Sequence, residues 1–199
     1  MNFSRRGFVG ALGIGASGLL APAAMAAVRA DPPPRLLAEA QAALDKHGAL
    51  VRHRDLVGLV DFAAPSGAPR FQMVDLGNGR VLANLLVAHG RGSDPANTGI
   101  VQRFSNHPGS NASSAGSFLV GDSYDGKYGR SRRLHGLDPE NDQALARGIV
   151  IHRASYVSHT MAHNTGRVGR SLGCFTVADT DIATVLTLLG PGRLLFAGR

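Results

Sequence analysis

Cysteine is nearly absent: Cys174 is the only one in 199 residues. No disulfide can form within the chain, so packing alone must hold the fold. Tryptophan is missing, and lysine is confined to Lys46 and Lys127, so the positive charge is carried almost entirely by arginine. Beyond the N-terminal segment no apolar run approaches the ~20 residues of a spanning helix, so no later segment is expected to cross a membrane as a helix. No internal repeat or heptad occurs, which excludes a solenoid or coiled coil. Gly90-Arg91-Gly92 lacks a Lys-Ser/Thr pair and a following helix, so it is not a phosphate loop. His159 and His163 are four apart, as metal ligands on one helix face can be, but no Glu stands between them. A zinc site built from these two with His152 or Cys174 is the minor alternative; the sequence otherwise calls for no metal and no cofactor.

The N-terminus is informative. Ser4-Arg5-Arg6-Gly7-Phe8-Val9 opens a Gly- and Ala-rich apolar stretch that runs to about Ala21 and is followed by Ala24-Met25-Ala26. A charged start, a short apolar region and small residues at a cleavage position make residues 1–26 an export signal, with a membrane anchor as the alternative. The paired arginines suggest the twin-arginine route to the periplasm, leaving no stable membrane insertion once the signal is removed. Residues 27–55 are expected to form a linker, stiffened by Asp31-Pro32-Pro33-Pro34, and an N-terminal helix. Residues 56–199 are expected to form one domain with its own core.

Formal net charge is +7. From Lys127 to Arg170 there are eight Lys and Arg residues against Asp138, Glu140 and Asp142, a region that attracts anions. Nucleic acid is scarce where an export signal leads, so no nucleic-acid partner is expected. Arginine grips carboxylates with two parallel hydrogen bonds, which favours an acidic peptide.

Spacing predicts a helix over 35–47 from Leu36, Leu37, Ala40, Ala43 and Leu44, stopped by Gly48. Strands are predicted at 56–62, at 70–76 and 80–88 around the Gly77-Asn78-Gly79 turn, at 117–120, at 148–151 ending on His152, and at 194–197. Residues 89–116 read as a long functional loop. A helix over 179–189 takes Asp179 as its cap. The fold class is therefore mainly β, a mostly antiparallel sandwich or distorted barrel with two or three helices.

The densest chemistry lies in Ser171-Leu172-Gly173-Cys174-Phe175. A thiolate is a strong nucleophile, and an imidazole beside it lowers its pKa and shuttles its proton. His152 closes a β-branched strand 22 positions upstream. Backbone N–H groups at Gly173 and Cys174 are candidate donors to an oxyanion. His89 either lines a cleft or ends a strand; His47, His53 and His107 read as surface residues.

These residues resemble a known family. A strand ending in His, a loop, then Ser-x-Gly-Cys is similar to the catalytic pattern of the L,D-transpeptidases, the YkuD-like family of peptidoglycan cross-linking enzymes. The chain looks most like the murein L,D-transpeptidase catalytic-domain subfamily. The resemblance is carried by blocks in order: residues 87–93 around His89, 104–106, 113–116, 124–129, 134–137, 147–152, 156–158 and Gly169-Arg170-Ser171-Leu172-Gly173-Cys174. It implies a fold of L,D-transpeptidase type and roles for particular residues. Cys174 would attack the amide between diaminopimelate and the terminal D-alanine of a stem peptide, His152 would serve as base and then acid, and a second stem's amine would resolve the thioester into a 3–3 cross-link. The Arg153 carbonyl would orient the imidazole, Ser171 and Gly173 would shape the turn, and Arg170 and His89 would face substrate.

Two departures stand out. Many members carry His where this chain has Leu172, and Arg or Asn where it has Thr176; Arg167 or Arg170 is a candidate substitute for the latter. A carboxypeptidase or amide hydrolase on the same scaffold, and an inactive wall-binding module, are the alternatives.

Overall fold

The computed structural model describes residues 33–199. The expected export signal lies outside the described residues. Eight strands and three helices follow in the order α1 (Leu37–Lys46), β1 (Leu56–Asp61), β2 (Phe71–Asp75), β3 (Val81–Leu85), β4 (Gly116–Gly126), β5 (Gly129–Gly136), β6 (Val150–Arg153), α2 (His159–Thr165), β7 (Phe175–Val177), α3 (Ile182–Leu188) and β8 (Leu194–Gly198). All eight strands belong to one sheet of order β3-β2-β1-β8-β4-β5-β6-β7. The pairs β1–β8 and β6–β7 are parallel and the others antiparallel, so the sheet is mixed.

The sheet curls back on itself. The chain after β3 reaches β7, where the Ala88 N–H donates to the Thr176 carbonyl at 2.8 Å, and Gly90 bridges Ser171. This partial closure makes the sheet a distorted barrel and brings residues 86–91 beside the turn that holds Cys174.

Strand alternation sorts the core. On β1, Val57 and Leu59 face α1, where Leu36, Ala40, Ala43 and Leu44 bury against them with Val74 and Leu194. Leu56 and Val60 face inward to Phe62, Phe71, Met73, Phe118, Ile151 and Phe175. Between them Gly58 gives room: a Cβ there would stand 3.0 Å from Leu189 of the α3 C-cap and 3.3 Å from Phe71. Phe175 anchors the interior, edge-on to Phe118 at 5.3 Å and stacked near Phe62 at 5.9 Å. Truncating a core phenylalanine of this kind costs about 3–5 kcal/mol.

Asp138 fastens α1 to the start of β4. It accepts from Lys46 at 2.6 Å, His47 at 3.0 Å and the Ser117 N–H at 2.7 Å. Burial alone would raise its pKa, but these donors hold the carboxyl far below the usual range. His47 is thus a buried-side partner and not the surface residue its sequence context suggests.

Several expectations need correction. β4 runs on to Gly126 and pairs with β5 along a long hairpin. β5 was hidden in the sequence because Arg130, Arg132 and Arg133 crowd it. β7 has three residues, too few for a periodicity. Asp179 does not cap α3; the cap position is Asp181, without a side-chain hydrogen bond, and Asp179 instead lies 3.5 Å from Arg153. Residues 89–116 do form the long irregular connection.

Candidate active site

Three neighbouring stretches build one cleft of about 630 Å³. β6 supplies Val150 and His152, because alternation sends Ile151 to the core and its neighbours outward. The Ser171–Cys174 turn supplies the thiol. The β4–β5 hairpin supplies Tyr124, Lys127 and Tyr128 from above.

The turn is shaped by glycine and serine. Gly173 has φ +119°, and a Cβ on it would meet the Ala112 carbonyl at 2.7 Å and Ile149 at 2.8 Å. Only glycine fits such a backbone at such a distance. Ser171 Oγ donates to the Cys174 carbonyl at 2.7 Å and accepts from the Gly173 N–H at 3.1 Å. The Gly173 N–H is therefore committed to Ser171, a correction to its expected role as an oxyanion donor. The Cys174 N–H remains the candidate donor of this turn.

The imidazole of His152 is held on three sides. Nδ1–H donates to the Arg153 carbonyl at 2.9 Å. A carbonyl only accepts, so Nδ1 carries the proton and Nε2 presents its lone pair. Thr176 Oγ1 sits 3.1 Å from Nε2 and donates to it. Tyr156 in turn donates to Thr176 Oγ1 at 3.3 Å. Tyr128 stacks on the ring at 4.2 Å between centroids, 15° from parallel. Burial pushes the His152 pKa down, as does the charge of Lys127, while the Arg153 carbonyl pulls it up. The ring is neutral at neutral pH.

The thiol lies in the same cleft, half-buried, with Sγ donating to the Gly148 carbonyl at 3.5 Å. Among the described residues no hydrogen bond joins Sγ to His152. Burial pushes the Cys174 pKa up, against the Val150 N–H and the charges of Arg147 and Lys127. The sequence expectation of a depressed thiol is thus corrected: at rest both groups are neutral.

Arg147 is the cation nearest the turn. Nη1 donates to the Ser105 carbonyl at 2.7 Å and to Ser114 Oγ at 2.8 Å, and Nη2 to the Ala112 carbonyl at 2.5 Å. It ties the long loop to the floor of the cleft. Arg170 lines the cleft and donates to the carbonyls of Asp94 and Pro95. Lys127, Arg147 and Arg170 share the lining with no carboxylate.

Of the expected site residues, Cys174, His152, Ser171 and Arg170 line the cleft, Gly173 underlies it, and Arg153 contributes its carbonyl while its side chain leans toward Tyr128 and Asp179. His89 does not reach it. It is fully buried beneath the loop, accepting from Arg70 at 2.8 Å and donating to Asp94 at 3.3 Å. Burial and the Arg70 charge lower its pKa to about 4. Sequence reading missed Arg147, Tyr128, Tyr156 and the position of Thr176. The block 147–152 contained the one signal for Arg147: an arginine heading the strand that ends in His152. Arg167 takes no part in the cleft lining, so it does not stand in for the residue that Thr176 replaces. His159 and His163 sit on α2, and among the described residues no three His, Cys, Asp or Glu gather as a metal site would require.

The family described as the L,D-transpeptidase catalytic domain matches residues 33–197. The chain belongs to this family. No curated protein matches it. Similar solved structures include an L,D-transpeptidase from Mycobacterium smegmatis, 13% identical with TM-score 0.45, covering 73% of this chain and 59% of that one. One from Stackebrandtia nassauensis is 12% identical with TM-score 0.46, covering 73% and 56%. One from Xylanimonas cellulosilytica is 18% identical with TM-score 0.42, covering 80% and 69%. The chain spans about three fifths of the length of the first of these structures. The eight-stranded, mainly β architecture is the one expected for an L,D-transpeptidase catalytic domain. Among the described residues no helix is long and apolar enough to cross a membrane.

Proposed function

We propose that this L,D-transpeptidase-family chain is an exported enzyme that joins peptidoglycan stem peptides through a thioester on Cys174. One observation carries the reading. The only thiol in the chain opens, beside a neutral imidazole whose Nε2 lone pair is held by the Thr176 hydroxyl, on a cleft whose charged side chains are all cationic. Stem peptides bear carboxylates, and three fixed cations recruit them.

The chemistry follows from these positions. The thiol turns from the Gly148 carbonyl toward His152, the Thr176 hydroxyl swings its hydrogen off Nε2, and the thiol gives its proton to the freed lone pair. Sγ attacks the carbonyl carbon of the amide between diaminopimelate and terminal D-alanine. The Cys174 N–H faces the developing oxyanion. His152 returns the proton to the leaving nitrogen as the C–N bond breaks, and D-alanine departs. The side-chain amine of a second stem then attacks the thioester, loses its proton to His152 and frees the thiol, forming the 3–3 cross-link. Residues 1–26 act as the signal that delivers residues 56–199 as a catalytic domain to the periplasm, with 27–55 between them.

The test is incubation of purified protein with tetrapeptide muropeptides, with products and intact protein followed by mass spectrometry. A Cys174-linked acyl adduct and a cross-linked dimer are expected. Shortened monomers without dimer would instead indicate water as acceptor, a carboxypeptidase; no adduct and no product would leave a binding module.

A further inference from the structure

The parallel ladder between β6 and β7 sets His152 beside Thr176, Ile151 beside Phe175 and Arg153 beside Val177. Side chains in register share a face, so the cleft-side partner of His152 is Thr176. Cys174 stands two residues earlier on that same face, diagonally from the ring. Thr176 is fully buried, and its hydroxyl is the group in contact with Nε2. It is itself anchored by Tyr156, which lines the cleft. The chain is therefore Tyr156 O–H to Thr176 Oγ1, Thr176 O–H to Nε2, and Nδ1–H to the Arg153 carbonyl.

We propose that Thr176, held by Tyr156, is the positioning residue for His152 in this enzyme, fixing the plane of the imidazole and serving Nε2 in both of its protonation states. A hydroxyl has one proton and two lone pairs. Toward the neutral ring it donates to Nε2. When the thiol approaches, the hydroxyl rotates its hydrogen away and frees the single Nε2 lone pair for the Cys174 proton, and the same oxygen then accepts from Nε2–H. Apart from the turn of the thiol no other side chain need move, and the buried imidazolium keeps a partner in place of the full cost of an unpaired charge. An arginine at this position would donate only, so Thr176 also removes a positive charge from beside a base that must become cationic. The proposal rests on the reading of His152 as base.

Thr176→Val keeps the shape and deletes the hydroxyl, and Thr176→Ser keeps the hydroxyl. With the full-length purified enzyme on muropeptide substrate, Thr176→Val lowers kcat roughly 10–100-fold, by analogy with the loss of a group that orients a metal-bound histidine, with KM unchanged. Thr176→Ser restores most of kcat. In ¹⁵N spectra of His152, the Nε2 resonance of Thr176→Val moves toward that of a ring nitrogen without a hydrogen bond, and Thr176→Ser leaves it in place; this readout needs no substrate. Should Thr176→Val fail to fold, Tyr156→Phe takes its place, with a smaller kcat loss and a shifted Nε2 resonance expected. An inactive His152→Ala beside a fully active Thr176→Val with an unmoved resonance overturns this proposal alone. Turnover retained in His152→Ala sinks the base assignment and the proposal with it.

Discussion

Cys174 Sγ points to the Gly148 carbonyl at 3.5 Å, while the Nε2 of His152 points to Thr176 at 3.1 Å. Nucleophile and base thus share a cleft without sharing a hydrogen bond. The relationship fixes the resting charge state. An imidazolium that touched the sulfur would favour thiolate; a neutral ring turned to a hydroxyl does not. Catalytic contacts of this kind commonly tighten only when substrate arrives.

Alkylation of Cys174 reads that state directly. Thiolate is the reacting form, so a thiol pushed up by burial reacts slowly at neutral pH and speeds up as pH rises past the ordinary thiol range. Since no His152 contact sets the midpoint, His152→Ala leaves the alkylation profile in place, whereas Lys127→Gln, removing a cation, moves it higher. Measuring iodoacetamide rates against pH checks both; a midpoint below the value of a free thiol would contradict the neutral pair.

The pH dependence of turnover has its own sign. His152 must be unprotonated to accept the thiol proton, and burial lowers its pKa from the ordinary 6.5. Activity is therefore retained at pH 6.5 and falls only at lower pH. A kcat/KM profile whose acid limb lies above 6.5 would be inconsistent with the buried, Tyr128-covered ring.

Cys174→Ala abolishes turnover and the acyl adduct while leaving a cooperative melt, because the side chain packs at the cleft surface and not among the core phenylalanines. Residual cross-linking by pure Cys174→Ala protein would remove the thioester mechanism altogether.

Gly173→Ala separates shape from chemistry. At φ +119°, and 2.7 Å from the Ala112 carbonyl, a methyl group forces the turn to shift. Strain of about 1–3 kcal/mol is expected, and the thiol is displaced with the turn. Activity should fall by orders of magnitude for a modest loss in thermal midpoint, read side by side by assay and calorimetry.

His89 makes stability depend on pH. Its folded pKa is about 4 against an ordinary 6.5, so the unfolded chain binds the proton more tightly. Stability contributed by the neutral ring is present above pH 6.5 and is lost as pH falls toward 4. The linkage amounts to about 3 kcal/mol at its fullest, and His152 adds in the same direction. Denaturant unfolding at pH 7, 5.5 and 4 should show the decline, and His89→Gln should flatten it while lowering stability at pH 7 through the lost Arg70–His89–Asp94 chain; an unchanged slope in His89→Gln would show that other groups carry the dependence.

Legibility followed physical strength. The α1 helix and strand β1 were readable because Leu36, Ala40 and Leu44, or Val57 and Leu59, repeat with their element's period over a buried face. The Asn78-Gly79 turn fixed the β2–β3 hairpin locally. β5 was unreadable since its partner strands, not its own composition, make it a strand. At the site, Cys174 and His152 were visible as residue types in a motif, but the placing of Cys174 two residues before the partner of His152 was not, because register comes from long-range pairing. Thr176 looked like a lost contact in sequence and is a buried partner in space. His89 misled for the converse reason: a histidine in a glycine-rich segment resembles a cleft residue until Arg70 and Asp94 are seen to enclose it.

β8, residues 194–198, runs between β1 and β4, parallel to a strand more than a hundred residues earlier. Before those residues emerge from the ribosome, β1–β3 and β4–β7 are two half-sheets, each with a bare inner edge. The bridges at Ala88–Thr176 and Gly90–Ser171 can form earlier, but the inner edges can join only after synthesis has passed residue 194, so that part of the long-range search comes late. Until then the exposed edges invite pairing with other chains, and a nascent-chain chaperone has a defined window in which to cover them.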